Sequence, residues 1–215
     1  MTTASRPAGV ASRALGKPAA FFARLRPLFG GSLKTAQVVG MQCKLDAFGA
    51  AGAPIAYVAY GLATSFHETA QTMQPVREIG RGKGKAYGLP GKHGGQIAYG
   101  RGDVQLTWDR NYARADGELG LKGALIANYD LALDPAISAR IMVEGMLEGW
   151  FTGKRLADYL PTSGFATLAQ FNAGRRIING ADRAAQISAI AAVFQDALAD
   201  GAWGPVPTPA RPQRA

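Results

Sequence analysis

Cysteine and histidine are scarce in this chain, and their scarcity excludes several kinds of site. Cys43 is the one cysteine among 215 residues, which rules out an internal disulfide and suits a reducing compartment of origin. It lies in an apolar helical pattern, which favours a small buried hydrophobic residue over a nucleophile. His67-Glu68 has Gln71 where a zinc metalloprotease motif has its second histidine. The other histidine is His93, and no Cys/His cluster exists, so we predict no metal and no cofactor.

Long apolar runs are also missing. Although 47% of the residues are hydrophobic, no uninterrupted apolar stretch reaches membrane-spanning length, so we predict no integral membrane segment. Residues 1–20 contain basic residues, no acidic residue and no continuous apolar stretch of the kind found in a secretory signal peptide. We predict that residues 1–20 form a flexible basic arm. Without a signal peptide, the chain is expected to be cytoplasmic on synthesis and to reach an external substrate by holin-type release or lysis.

Acidic residues are few relative to basic ones. The chain has 24 Lys+Arg against 15 Asp+Glu, a formal net charge of +9, which indicates an anionic partner. Nucleic acid is one candidate, but no helix-turn-helix, zinc finger or paired aromatic platform is recognisable, so we predict no nucleic-acid binding. The glycine-rich stretch 80–95 carries Arg81, Lys83, Lys85 and Lys92. Individually these cations are typical of a solvated loop, and together they place positive charge near the carboxylates described next.

Two glutamates lie ten residues apart in contrasting surroundings. A helix is predicted over 54–69, because apolar residues recur at helical spacing: Ile55, Val58, Ala59, Leu62, Ala63 and Phe66. Glu68 falls in its last turn, where the helix dipole and burial both disfavour a charged carboxylate. Glu78 lies in a loop beside Arg77, which should keep it ionised. Such a pair suits acid/base hydrolysis, although a single glutamate at a helix end is more often a surface residue.

A third motif follows the two glutamates and gives the pattern its specificity. The segments, in chain order, are His67-Glu68-Thr69, Arg77-Glu78, Gly100-Arg101-Gly102, Gln105-Leu106-Thr107 and Asn111-Tyr112. Together they resemble the active-site framework of family 19 glycoside hydrolases, which include plant-type chitinases and many phage or prophage endolysins. The resemblance covers about residues 21–200. The loop 80–95 and the lack of a cystine framework are closer to the phage/prophage endolysin branch.

The resemblance implies a role for each matching residue. Glu68 is the general acid, Glu78 the general base, and Thr107 with Asn111 holds the attacking water. The remaining residues implied in substrate or water binding are Gln105, His67, Tyr99, Asn179 and Arg176, the last as support for the carboxylates. Arg183 is a possible further member of that network, and Arg175 is equally well explained as part of a solvated turn. Trp108 and Tyr112 are more often core aromatics than sugar platforms.

The predicted fold class is mainly α: a lysozyme-like helical domain with a small β-hairpin beside the active-site cleft. Further helices are predicted over 21–29, from Ser32 or Thr35 onwards, from Pro135 after an Asp134 cap, and over 184–200. Strands 96–99 and 103–106 are expected to flank a glycine turn at 100–102. The catalytic domain is predicted over 21–201, with a Pro-rich tail over 202–215, and the chain is expected to be a monomer.

The sequence therefore predicts a peptidoglycan-degrading glycoside hydrolase that cleaves β-1,4 bonds by an inverting acid/base mechanism. Peptidoglycan bears carboxylates that match the basic chain, whereas chitin is neutral. A chitinase acting on N-acetylglucosamine polymers with the same machinery is the first alternative. The second is a non-catalytic cell-wall-binding or virion structural protein on the same fold.

Overall fold

Helix α3 (Ile55–Glu68) lies at the centre of the fold, in a computed structural model that describes residues 11–178, 180 and 182–206. Every residue from Ala56 to Phe66 is buried, as the apolar spacing predicts. Helix α8 (Ala184–Asp200) packs along α3, and the Phe66 and Phe194 rings meet edge-on with centroids 6.2 Å apart. The burial of α3 fixes the position of its last residue, Glu68.

A second helix pair packs beside this centre. Helix α2 (Thr35–Ala50) lies against α6 (Pro135–Glu148). The Asp134 carboxylate caps α6 as predicted, because its Oδ1 accepts the backbone N–H groups of residues 136 and 137, both at 2.9 Å. At the start of α2 the Gln37 side chain accepts the Lys34 N–H at 2.8 Å, and neither predicted residue acts as the cap.

Shorter helices complete the domain. The remaining α-helices are α1 (Pro18–Leu25), α4 (Asp109–Glu118), α5 (Ala124–Ala127) and α7 (Leu168–Gly174). Five 3₁₀ turns occur in the described residues: Arg26–Phe29, Ala86–Gly88, Tyr129–Leu133, Leu156–Asp158 and Arg175–Ile177. Among the described residues, no helix is long and apolar enough to cross a membrane.

The small sheet near Glu78 differs from the predicted hairpin in its strands. β2 (Val76–Arg77) pairs antiparallel with β3 (Arg101–Gly102), so the segment just before Glu78 takes the place predicted for 96–99. Arg101 and Leu106 exchange backbone hydrogen bonds of 3.1 and 2.8 Å, which closes a tight turn. The turn is so short because Gly102 and Gln105 both have positive φ, +87° and +54°. The mainly helical fold with a small two-stranded sheet is confirmed.

The two ends of the described chain pair with each other. β1 (Arg13–Leu15) and β4 (Trp203–Pro205) form a second antiparallel sheet, with the Trp203 indole N–H donating to the Ala53 carbonyl at 3.0 Å. Residues 11–20 and 202–206 thus belong to the folded unit, which corrects the predicted arm and tail there. The physical reason is burial of Trp203 and the close approach of the Arg13 carbonyl to Gly49, where any side chain would clash. The rest of both predictions lies outside the described residues.

Candidate active site

Glu68 ends α3 and is held by a buried arginine. Its Oε1 lies 2.9 Å from a terminal nitrogen of Arg175, and the two side chains are 21% and 2% exposed. Arg175 also donates through Nε to the Asp182 carbonyl at 3.0 Å, so its guanidinium is fixed from two sides. The charge-assisted hydrogen bond orients the carboxyl group.

Arg175 therefore has the role of supporting Glu68 that was predicted for Arg176, whose implied part in substrate binding stays a prediction. Arg176 is exposed, and its backbone carbonyl accepts the Thr152 hydroxyl at 2.8 Å. Arg175 directly follows α7, four residues after the buried Phe171, and this helical spacing is a sequence signal for its inward orientation. Arg183 is largely exposed beside Asp182 and does not join the network.

Glu78 lies directly after β2, where two donors hold its carboxylate. Oε1 accepts the Tyr87 hydroxyl at 2.8 Å and Oε2 accepts the Gly100 N–H at 3.0 Å. The pKa of Tyr87 is raised because its hydroxyl donates to Glu78, so the phenol stays protonated near neutral pH. The guanidinium of Arg77, the predicted neighbouring cation, binds Asp130 at 2.7 Å. Adjacent residues of a strand point to opposite faces, which explains why Arg77 and Glu78 bind different partners.

Gln105, which was predicted to bind substrate, lies in the turn after β3. Its amide nitrogen lies 3.3 Å from the carbonyl oxygens of Val76 and Gly102. Its amide oxygen would lie 2.7 Å from a Cβ at position 100, so a side chain there would displace the Gln105 amide. The positive φ of Gln105 is unusual for a residue with a side chain, and such backbone strain often accompanies functional sites. Glu78 and Gln105 therefore meet at Gly100.

Thr107 and Asn111 meet at the start of α4. The Asn111 side-chain amide donates to the Thr107 backbone carbonyl at 2.8 Å, and both residues are partly exposed. Trp108, between them, has a φ of +70° and is 39% exposed. Its ring meets Tyr87 edge-on at 5.4 Å, so the aromatic pair connects this segment to Glu78. Tyr112 is fully buried, as predicted for a core aromatic.

Arg101 and Tyr99, on either side of Gly100, stack on each other next to the turn. The Arg101 guanidinium lies 3.5 Å over the Tyr99 ring, and its Nε donates to Asp130 at 2.8 Å. Both residues are buried, and the Tyr112 hydroxyl donates to the Tyr99 carbonyl. The substrate role implied for Tyr99 stays a prediction, as does that of His67, which is half-buried beside Glu68. Asn179 lies outside the described residues.

The basic loop, residues 80–95, is held near Lys92 by Asp109. The Asp109 carboxylate accepts the Lys92 N–H at 3.0 Å and the Tyr129 hydroxyl at 2.6 Å, and the latter bond lowers the pKa of Asp109. The cations Arg81, Lys83, Lys85 and Lys92 are exposed. The described residues contain no group of three or more His, Cys, Asp or Glu placed to hold a metal.

Three solved structures resemble this fold. Chitinase C from Streptomyces griseus HUT6037 aligns with a TM-score of 0.51 at 24% identity, over 82% of this chain and 75% of that one. A point mutant of chitinase C aligns with a TM-score of 0.49 at 25% identity over the same shares, 82% and 75%. A bacterial family 19 chitinase aligns with a TM-score of 0.48 at 21% identity, over 86% of this chain and 96% of that one. The likeness to chitinase C shows a shared fold.

Comparisons by sequence found no match. No protein-family model matches the chain, and no curated protein matches it.

Proposed function

We propose that this protein is a glycoside hydrolase that cleaves β-1,4 bonds of peptidoglycan by inversion. The observation that carries the proposal is the contrast between the two carboxylates. Glu68 ends a buried helix and is held by a guanidinium, whereas Glu78 follows a strand and is held by a phenol and a backbone amide. Separate elements with different donors suit two carboxylates with different tasks.

The proposed reaction is a single displacement. Glu68 gives its proton to the glycosidic oxygen as the bond from that oxygen to the anomeric carbon breaks. A water positioned by Thr107 and Asn111 attacks the same carbon from the opposite face, and Glu78 takes the water proton. Tyr87 and the Gly100 N–H orient the Glu78 carboxylate for this task, and each of its oxygens keeps further capacity to accept a hydrogen bond.

The charge of the loop favours peptidoglycan as the polymer. The exposed Arg81, Lys83 and Lys85 lie in the same loop as Tyr87, which donates to Glu78, so the loop that contacts the proposed base is positively charged. Peptidoglycan carries carboxylates on its muramyl groups and stem peptides, and a basic rim would attract them.

A chitinase is the second candidate, and the similarity of the fold to chitinase C favours it. A paired assay distinguishes the two candidate functions. Purified protein is added to outer-membrane-permeabilised cells while turbidity is followed, and to soluble chitin oligosaccharides while new reducing ends are counted. Lysis with little chitin hydrolysis supports the proposal, and the reverse supports the chitinase. A lack of activity on both polymers would refute the proposal and would favour a non-catalytic wall-binding protein.

Salt should reduce activity on cell walls, because exposed charges act over a Debye length of about 8 Å at physiological ionic strength. The triple variant Lys83→Gln/Lys85→Gln/Lys92→Gln should lower the initial rate at low salt and flatten its salt dependence. The measurement is initial rate against NaCl concentration. The matched control changes three other exposed cations, Lys17, Lys34 and Lys154, to Gln. Equal salt profiles for the two triple variants would show that the loop cations do not attract the substrate and are ordinary solvated residues.

Inversion predicts the anomer of the first product. Proton NMR of a β-linked oligosaccharide during the first turnovers should show the α-anomer before mutarotation, because water attacks opposite the leaving group. Initial appearance of the β-anomer would indicate retention, and Glu78 would then not be the base of a single displacement.

A further inference from the structure

A buried ion pair lies beneath the candidate site. The Lys44 ammonium and the Asp103 carboxylate are 2.8 Å apart, and both side chains are 0% exposed. Lys44 belongs to α2, and Asp103 is the first residue after β3, in the turn that carries Gln105. Neither side chain reaches the surface, so neither touches a polymer substrate.

The Asp103 carboxylate connects this turn to two helices. Its Oδ1 accepts the Ser65 hydroxyl of α3 at 2.8 Å, one turn before Glu68. Its Oδ2 accepts the Ser138 hydroxyl of α6 at 2.7 Å, and the same hydroxyl accepts the Asp103 N–H at 2.9 Å. Both serines are buried. A shift of α3 relative to the turn would therefore break a bond between groups that are buried from solvent.

The Lys44 ammonium, which pairs with Asp103, also bonds to the segment between Glu68 and Glu78. It donates to the Met73 carbonyl at 3.0 Å and to the Gly40 carbonyl at 3.2 Å. Gly40 permits this approach, because any side chain there would clash with the Met73 carbonyl. The pair thus binds α3 before Glu68, the connection between Glu68 and Glu78, and the turn that carries Gln105.

We infer that Lys44 and Asp103 are positioning residues that hold the segments of Glu68, Glu78 and Gln105 in their catalytic arrangement. The inference rests on the proposed function. Desolvation makes a buried ion pair a weak source of net stability, and apolar residues of similar volume can replace such pairs without loss. An apolar pair has no directional contacts, whereas the Ser65–Asp103, Lys44–Asp103 and Lys44–Met73 contacts join defined atoms and so specify one relative placement of the three segments.

The decisive comparison is between two double variants. Lys44→Met/Asp103→Leu removes every side-chain polar link of the pair while leaving no unpaired charge and keeping the bond from the backbone N–H of residue 103 to Ser138. The two serine hydroxyls can turn to carbonyls of their own helices. Lys44→Met/Asp103→Asn keeps an amide that can bond both serines. The control is Gln195→Leu, which removes another buried polar group, bound to Ala166 at 2.8 and 3.1 Å.

Positioning predicts a selective loss of turnover. With kcat and KM measured well below the melting temperature, the Leu double variant should lose about tenfold to 10²-fold in kcat with KM within about twofold. The Asn double variant restores only the links to the serines, so it should recover part of that loss, and Gln195→Leu should retain kcat. A Leu double variant with wild-type kcat would overturn the inference, as would failure of the Asn variant to recover.

Amide hydrogen exchange separates this inference from the proposed function. In the Leu double variant, the N–H groups of Leu106 and Glu78, which bond to Arg101 and Gly100, should exchange at least tenfold faster while α8 is unchanged. Unchanged exchange would overturn the inference even if the protein is a hydrolase. Inactivity of the wild type on both polymers would refute the proposed function, and faster exchange would still establish that the pair holds these segments.

If the Leu double variant does not fold, Ser65→Ala takes its place. That variant leaves the ion pair intact and breaks only the direct link to α3. A severalfold lower kcat with an unchanged KM supports the inference, and an unchanged kcat overturns it.

Discussion

Replacing Glu68 by glutamine should lower the rate of glycan hydrolysis by about 10²–10⁴-fold, the usual range for loss of a general acid or base. Glutamine keeps the size of the side chain and can still accept a hydrogen bond from Arg175, but it has no proton to give to the leaving oxygen. Because the loss concerns the transition state, kcat should fall far more than KM rises. The measurement is steady-state kinetics on a soluble oligosaccharide, supported by lysis of permeabilised cells.

The control must show that the fold survives, because the buried Arg175 loses its charged partner. Circular dichroism and the melting temperature of Glu68→Gln should remain close to wild type. Glu118→Gln is the matched variant: it makes the same chemical change at an exposed glutamate at the end of α4 and should keep full activity. If folded Glu68→Gln retains more than roughly a tenth of the wild-type rate, Glu68 is not the acid.

Replacing Glu78 by glutamine should have an effect of similar size, about 10²–10⁴-fold in kcat, since an amide cannot accept the water proton. Tyr87→Phe should cost less, because it removes one of two donors that orient the carboxylate and leaves the Gly100 N–H in place. The order of turnover should be wild type, then Tyr87→Phe, then Glu78→Gln, with little change in KM for either variant.

Tyr159→Phe serves as the control for the tyrosine variant, since it removes a hydroxyl from a half-buried tyrosine after a different 3₁₀ turn and should leave kcat unchanged. Two results would contradict the assignment of Glu78. One is a Glu78→Gln protein with near-wild-type turnover. The other is a Tyr87→Phe protein as impaired as Glu78→Gln but only through KM, which would place both residues in substrate binding.

The helices near the site could be predicted from local sequence patterns. The apolar spacing of residues 55–66 predicts α3 and places Glu68 in its last turn, and Asp134 predicts the start of α6. These predictions succeed because helix periodicity and capping depend on residues within a few positions of one another. The hairpin prediction failed in its strands, because the partner of β3 comes from a segment more than twenty residues away.

The partners of the charged residues were decided by the tertiary structure. Sequence alone determined that a helix ends at Glu68 and that glycines and a glutamine shape the turn after β3. It did not determine that Arg175 reaches Glu68, or that Lys44 meets Asp103. Periodicity specifies which face of a helix is buried, whereas a buried charge finds its partner through the packing of helices far apart in the chain. That packing depends on all core side chains together, and no local pattern encodes it.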